Sequence, residues 1–220
     1  MAIVFSKTIF NNLHKLRYIL LIIAYFLVLW APIIFQSFGV IDLVSDISLI
    51  VLLFAIVNFI RKKNTYNKVF TFISFMIIFG RGATVGIEND NAIIVSWIAL
   101  LIYFCFFLRI LLIEVWGANK VNLNTILGAI AGYIQIGVIA FALFKVCDIL
   151  YYNQAFSQPV EVSDLIYFSF VTLTTVGYGD ISPVADEVKA FSVIFAMVGQ
   201  FYMAILMALL VGKYQQEHGK

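Results

Sequence analysis

Charge is scarce in this chain of 220 residues. Only 12% of positions are Asp, Glu, Lys or Arg, and 63% are hydrophobic. A soluble domain carries about 25% charge and about 45–50% apolar residues, so a water-soluble globule is excluded. The 14 basic and 12 acidic residues nearly cancel, leaving a net charge of +2. That balance lacks the concentrated positive charge a nucleic-acid partner requires. The two cysteines, Cys105 and Cys147, both fall in apolar runs. They read as small buried hydrophobes, with no disulfide framework or metal spacing. His14 and His218 have no ligand spacing either. There is no glycine-rich phosphate loop, no nucleophile elbow and no paired acids in a polar setting. No catalytic residue is assigned, no cofactor is expected, and an enzyme reading has no support. Internal repeats, low-complexity segments and long polar linkers are absent as well.

Long apolar sequence is what the chain has in abundance, and helical membrane spans are the way to house it. Six runs are long enough, near residues 18–38, 47–60, 69–87, 92–113, 124–148 and 188–212. The second is short at its charge-free core and has room to extend back to Ile41. A seventh run, Leu165 to Val176, is too short to cross about 30 Å of hydrocarbon. It reads as a re-entrant helix, which is tolerated where backbone is buried in protein or lines a wet cavity. Ser163 or Asp164 is placed to cap it, and Asn124 to cap the fifth span. The first run follows basic residues but is too long, and lacks a small-residue cleavage site, for a signal peptide. It is read as a retained helix. With both termini cytoplasmic, Lys7, Lys15, Arg17, Arg61, Lys62, Lys63, Lys68, Lys120, Lys213 and Lys220 fall inside, as positive-inside topology requires. Asp42, Asp46, Glu88, Asp90, Asp148, Glu161, Asp164, Asp180, Asp186 and Glu187 fall outside. The expected fold is an all-α membrane protein of six helices plus a re-entrant segment. Residues 1–116 would form a four-helix membrane domain, and 117–220 the module that holds the re-entrant segment.

That segment ends in Thr174-Thr175-Val176-Gly177-Tyr178-Gly179-Asp180. An ion that sheds its water needs a fixed set of oxygens in exchange. Gly177 and Gly179 can take backbone angles that a side chain forbids. Alternating them with ordinary residues turns successive carbonyls toward one axis. The Thr175 hydroxyl adds a further oxygen at the inner end, while Val176 and Tyr178 point back and brace the loop.

The stretch Asp164 to Pro183, DLIYFSFVTLTTVGYGDISP, resembles the pore helix, filter and outer mouth of tetrameric potassium channels. The resemblance extends over about residues 121–215. Six spans with the pore in the last two also resemble the voltage-gated superfamily. The resemblance implies a cyclic homotetramer in a plasma membrane. Its filter would be Thr174 to Asp180, with potassium held by the carbonyls of Thr175, Val176, Gly177 and Tyr178 and by the Thr175 hydroxyl. Tyr167 and Phe168 stand where many members carry two tryptophans. Tyr167 keeps a polar hydrogen that could reach Asp180, and Val171 stands where some bacterial relatives carry an acid. Gly199 stands at the family's gating hinge. Gln200, a lone polar residue in the last helix, needs a partner or a wet cavity. Gly199, Ala204, Ala208 and Gly212, and the Gly128–Gly132 pair, read as close helix packing. Asp148, Glu161, Asp164, Asp180, Asp186 and Glu187 ring the outer mouth, where one sign of charge gathers cations. Two other readings are a non-conducting regulatory subunit of a mixed channel and a subunit of a potassium transporter.

The first four spans lack the arginine series of a voltage sensor. The fourth holds one basic residue, Arg109, near its inner end. Arg81, between Gly80 and Gly82 in the outer half of the third, either snorkels outward or pairs with Asp42, Asp46 or Glu88. Gly80, Gly82 and Gly86 are placed to bend that helix. Arg61, Lys62 and Lys63 form a basic loop suited to anionic lipid. The connector from Trp116 to Asn124 is short and holds Gly117, which points to a fourth span packed on its own pore helices. With Lys220 so near the last span, no cytoplasmic sensing domain is expected after it. One gating charge is worth about 2.3 kcal/mol per 100 mV, too little for steep opening. Arg109→Gln should therefore leave the conductance–voltage curve almost unchanged. A shift of tens of millivolts in patch recordings would contradict this.

Overall fold

The computed structural model describes residues 16–35, 41–61, 64–84, 90–118 and 120–218. Among them, seven helices follow one another with no strand. They are α1 (Arg17–Phe35), α2 (Ile41–Ile60), α3 (Asn64–Thr84), α4 (Asp90–Trp116), α5 (Leu123–Leu150), α6 (Val162–Leu173) and α7 (Asp186–His218). Helices α1, α2, α4, α5 and α7 are long and apolar enough to cross a membrane. In α3 the apolar stretch is the shorter Asn67–Gly80. Its first turns carry Asn64, Asn67 and Lys68, so the third expected span is less apolar than its neighbours. The chain is an all-α, multi-pass membrane protein. Helix α3 runs through Gly80 and Gly82 without breaking. Lys62, Lys63, Gly86 and Glu88, and the side chains of Asp42, Arg81 and Asp90, lie outside the described residues.

Two helix starts differ from expectation. The N-cap of α5 is Asn122, whose Oδ1 accepts from the Thr125 N–H at 3.0 Å; Asn124 is inside the helix. The cap of α6 is Glu161, whose N–H donates to the Asp164 carboxylate at 2.9 Å. Asp164 thus serves as the returning arm of a capping box, and Ser163 is buried in the first turn. In both places a suitable polar residue lies two or three positions from the true cap, and sequence spacing alone does not choose between them.

By contact the chain divides into residues 1–82 and 83–220. In the first unit α1 and α2 pair in opposite directions. Tyr18, Leu21, Ala24, Tyr25, Val28 and Pro32 line the buried stripe of α1. Tyr18 meets Phe59 edge to face with centroids 5.0 Å apart, and Arg17 lies 5.0 Å from both ring centres.

In the second unit α4 lies along α5, again in opposite directions. Trp97 meets Phe141 edge to face at 5.5 Å. The buried Gln135 amide donates to the Phe104 carbonyl at 3.3 Å. Lipid gives no hydrophobic drive between helices, so such packing and hydrogen bonds carry the association. The fourth helix therefore belongs by contact with the module that holds α6, although the division expected by role lies at residue 116. On the other side of α5, Gly132 lets Tyr202 of α7 approach until its hydroxyl donates to the Ala129 carbonyl at 2.6 Å. Both Gly128 and Gly132 are buried, as close packing requires. Phe144 anchors an aromatic cluster at the other end of α5. It packs edge to face on Phe168 at 5.0 Å, Phe195 at 5.8 Å and Phe156 at 6.3 Å.

Phe144 thus ties α5 to α6, to α7 and to the loop between α5 and α6. Phe144→Ala should destabilise the folded protein by about 3–5 kcal/mol, the usual range for emptying a buried aromatic site. Denaturant titration of the solubilised protein measures this, and a loss below about 0.5 kcal/mol would show that the cluster is not a keystone.

Candidate functional site

The site begins where α6 ends. Thr174 closes the helix: its N–H donates to the Phe170 carbonyl at 2.9 Å and its hydroxyl to the same oxygen at 2.7 Å. The chain then turns sharply. Thr175, Gly177 and Gly179 take positive φ values of 59°, 54° and 81°, while Val176 and Tyr178 do not. Glycine adopts that region freely; threonine does so only when its surroundings compel it. An added Cβ at Gly177 or Gly179 would meet no atom of the chain, so the requirement for glycine there is conformational and not spatial. The positive φ at Thr175 was not foreseen, because its β-branched type argues against it.

The carbonyl of Val171 anchors the start of this segment. It accepts the Val176 N–H at 3.0 Å and the Gly177 N–H at 3.4 Å. Val171 therefore acts through its backbone. Behind the segment the Tyr167 and Tyr178 rings lie parallel, 4° between planes and 6.4 Å between centroids. Desolvation first, and then the influence of the Asp180 carboxylate, push the Tyr167 phenol above its ordinary value. Phe168 faces away from Tyr178 and into the aromatic cluster with Phe144 and Phe156.

A brace beyond the segment gave no signal in the sequence. Phe156 and Pro183 form an antiparallel bridge between the loop after α5 and the stretch before α7. The Ser157 N–H donates to the Ser182 carbonyl at 2.9 Å, the Ser182 N–H to Ser157 Oγ at 3.2 Å, and the Val184 N–H to the Ala155 carbonyl at 2.9 Å. Ala155, Phe156 and Ile181 are buried beneath it.

The acidic rim is less uniform than expected. Asp148 is wholly buried and pairs with Lys145 at 3.4 Å, because the last turns of α5 are packed inside the unit. It is not a rim charge. Asp186 pairs with Lys189 at 2.9 Å, and Glu187 accepts from the Tyr151 hydroxyl. That bond raises the Tyr151 phenol above its ordinary value. Asp180 remains exposed.

Helix α7 runs unbroken through Gly199. A Cβ at Gly199 would overlap the Leu173 carbonyl, so this glycine permits backbone-to-backbone contact at the end of α6. Contact at that point gives the glycine a purpose apart from any hinge. Gln200 has found a partner: its Nε2 donates to Thr175 Oγ1 at 3.1 Å. Ala204 and Ala208 are exposed on this chain, and an added Cβ at Gly212 would meet nothing. At the far end Lys213 Nζ donates to the Trp116 and Ala118 carbonyls at 2.8 and 2.7 Å. It satisfies orphan carbonyls at the end of α4 and ties the end of α7 to them. The sequence marked Lys213 only as a topology charge.

Residues 132–216 match the family profile described as ion channel. The chain is 34% identical over 93 residues to two-pore potassium channel 2 of Arabidopsis thaliana, covering 42% of this chain and 20% of that protein. It is 27% identical over 117 residues to the voltage-gated potassium channel Kch of Escherichia coli strain K12, covering 53% and 27%. Residues 132–216 of this chain are thus similar to an ion-channel domain, and the relatives named here are potassium channels. Two pore potassium channel c of Oryza sativa subsp. japonica is 44% identical over 50 residues, 23% of this chain and 11% of that one. The matches thus span only about a fifth of the length of the first of these relatives. No solved structure matches the chain. The profile takes in all of α6, the TVGYG segment and most of α5 and α7, the elements that build the site.

Two outcomes test this geometry without recourse to conduction. Gly199→Ala should lower the stability of the purified protein, and Gly212→Ala, with open space around it, should not. Equal effects in thermal unfolding would remove the case for close packing at Gly199. A phenol held above its unfolded value stabilises the fold fully below about pH 10, and that contribution is lost as pH rises through the folded value. The ultraviolet difference titration between wild type and Tyr167→Phe should thus have its midpoint above about pH 10. A midpoint at or below that value would contradict the desolvation of this phenol.

Proposed function

We propose that copies of this chain assemble as a homotetramer whose Thr174–Asp180 segments form a potassium-selective pore. The observation that carries this reading is the alternation of left-handed and ordinary backbone from Thr175 to Gly179. Such alternation aims the carbonyls of Thr175, Val176, Gly177 and Tyr178 to one side, with the Thr175 hydroxyl below them. A single chain offers those oxygens from one direction only. A cage that replaces an ion's water needs them from all around, and four loops about an axis supply it. The exposure of the segment agrees: Val176 is 53% and Tyr178 73% exposed on the isolated chain. Potassium is the permeating substrate.

Conduction is passive and only weakly dependent on voltage, since Arg109 is the lone basic residue of the fourth helix before its last turns. The protein belongs in a plasma membrane with both termini cytoplasmic and the Asp180 end of the site outside. The pairing of α4 with its own α5, joined by the short connector after Trp116, favours an unswapped arrangement. Gly199 remains a proposed hinge, working against the Leu173 contact. Anionic lipid is the proposed partner of the Arg61, Lys62 and Lys63 loop.

Flux through the purified protein in liposomes tests the reading. The reversal potential should follow the potassium gradient and ignore sodium. Gly177→Ala should abolish flux, since the left-handed angle is costly for any side chain. Equal permeability to sodium and potassium, or undiminished flux in Gly177→Ala, would sink the proposal.

A further inference from the structure

We propose that Gln200 tunes the innermost cation site of the pore by holding the Thr175 hydroxyl as its hydrogen-bond acceptor. The inference rests on the pore reading above and adds a residue that acts on specificity. Gly199 presses the α7 backbone against Leu173, at the end of α6. That contact fixes the height of the next residue relative to the inner end of the TVGYG segment. From there the Gln200 amide nitrogen reaches Thr175 Oγ1 at 3.1 Å. Both side chains are exposed on the isolated chain, on the open side of the site. Thr175 is in the left-handed region at φ 59°, so its surroundings decide where its hydroxyl points.

A threonine hydroxyl has one hydrogen and two lone-pair sites. When one lone pair accepts from Gln200, a single lone pair is left to face an ion. The amide also brings the positive end of its dipole to the oxygen, which lowers what that oxygen can offer a cation. In a ring of four, four amides act together. The innermost site is then weaker than threonine alone would make it, and a divalent ion feels this more than a monovalent one. Conduction gains, because an ion must bind weakly enough to leave. Gln200 is a positioning residue in this scheme: it acts on the ion through Thr175.

Barium is a fitting probe, being divalent and close to potassium in size. Its binding is measured by calorimetry on the purified protein in potassium-free buffer and by block of liposome flux from the α7 side. Gln200→Met keeps the length and removes the donor. Gln200→Asn keeps the amide but is too short to reach Thr175. Barium affinity should rise about three- to tenfold in both, the span that one neutral hydrogen bond covers. In a Thr175→Val background, which has no hydroxyl, Gln200→Met should add nothing further. Unchanged or weaker barium binding in both single variants, with the wild type conducting potassium, would overturn the proposal and leave the pore reading standing. A wild type that neither conducts potassium nor binds barium would overturn that reading and this inference with it.

Discussion

Backbone carbonyls that point out of a loop cannot also close a helix or a sheet. The segment from Thr175 to Gly179 turns its carbonyls out of any regular structure, and its conformation must be held by something else. The helices and loops around it supply the hold. From within, the Val171 carbonyl takes the amides of Val176 and Gly177. From behind, Tyr167 stacks on Tyr178. From outside, the bridge of Phe156 and Pro183 and the Ser157–Ser182 pair fix the exit. Without these, positive φ at a threonine would relax, since β-branched residues avoid it.

The same demand explains why small residues and aromatics meet as they do. The end of α6 must stay put if the segment after it is to stay put. Gly199 lets α7 touch the Leu173 carbonyl, and the Tyr133 hydroxyl donates to that same carbonyl at 3.4 Å. Gly137 admits the Phe170 ring against α5, and Phe144 locks α5 to Phe168. In lipid, where apolar burial gives helices no reason to associate, such shape contacts and hydrogen bonds carry the work. The Lys213 bonds to the end of α4 then place a restraint on α7 at the opposite end from the site.

Much of this was legible in the chain before folding. Helix number, order and approximate ends follow from apolar length, because a span must match the bilayer and must close its own hydrogen bonds. The short run before TVGYG was legible as re-entrant for the same reason. Gly177 and Gly179 declared their backbone by type, and Gly128 and Gly132 declared close packing by spacing. Gln200 declared that it needed a partner by being polar among apolar neighbours, but not which partner.

What sequence determined here is whatever depends on residue type and local spacing: the membrane class, the apolar helices among the described residues, the filter-like segment and the lack of a gating-charge series in the fourth helix. What tertiary structure decided is whatever depends on a neighbour far along the chain. Thr175 takes a left-handed turn at φ 59°, against its β-branched type, where the end of α6 meets the braces around it. Asp148 is inside because α5 is packed on several sides, though by type it belongs on a rim. Gly199 is pressed on Leu173, Gln200 on Thr175 and Lys213 on the end of α4, each pair being 25 or more residues apart in sequence. Local propensity acts over a few residues, while these contacts exist only once separate helices have met.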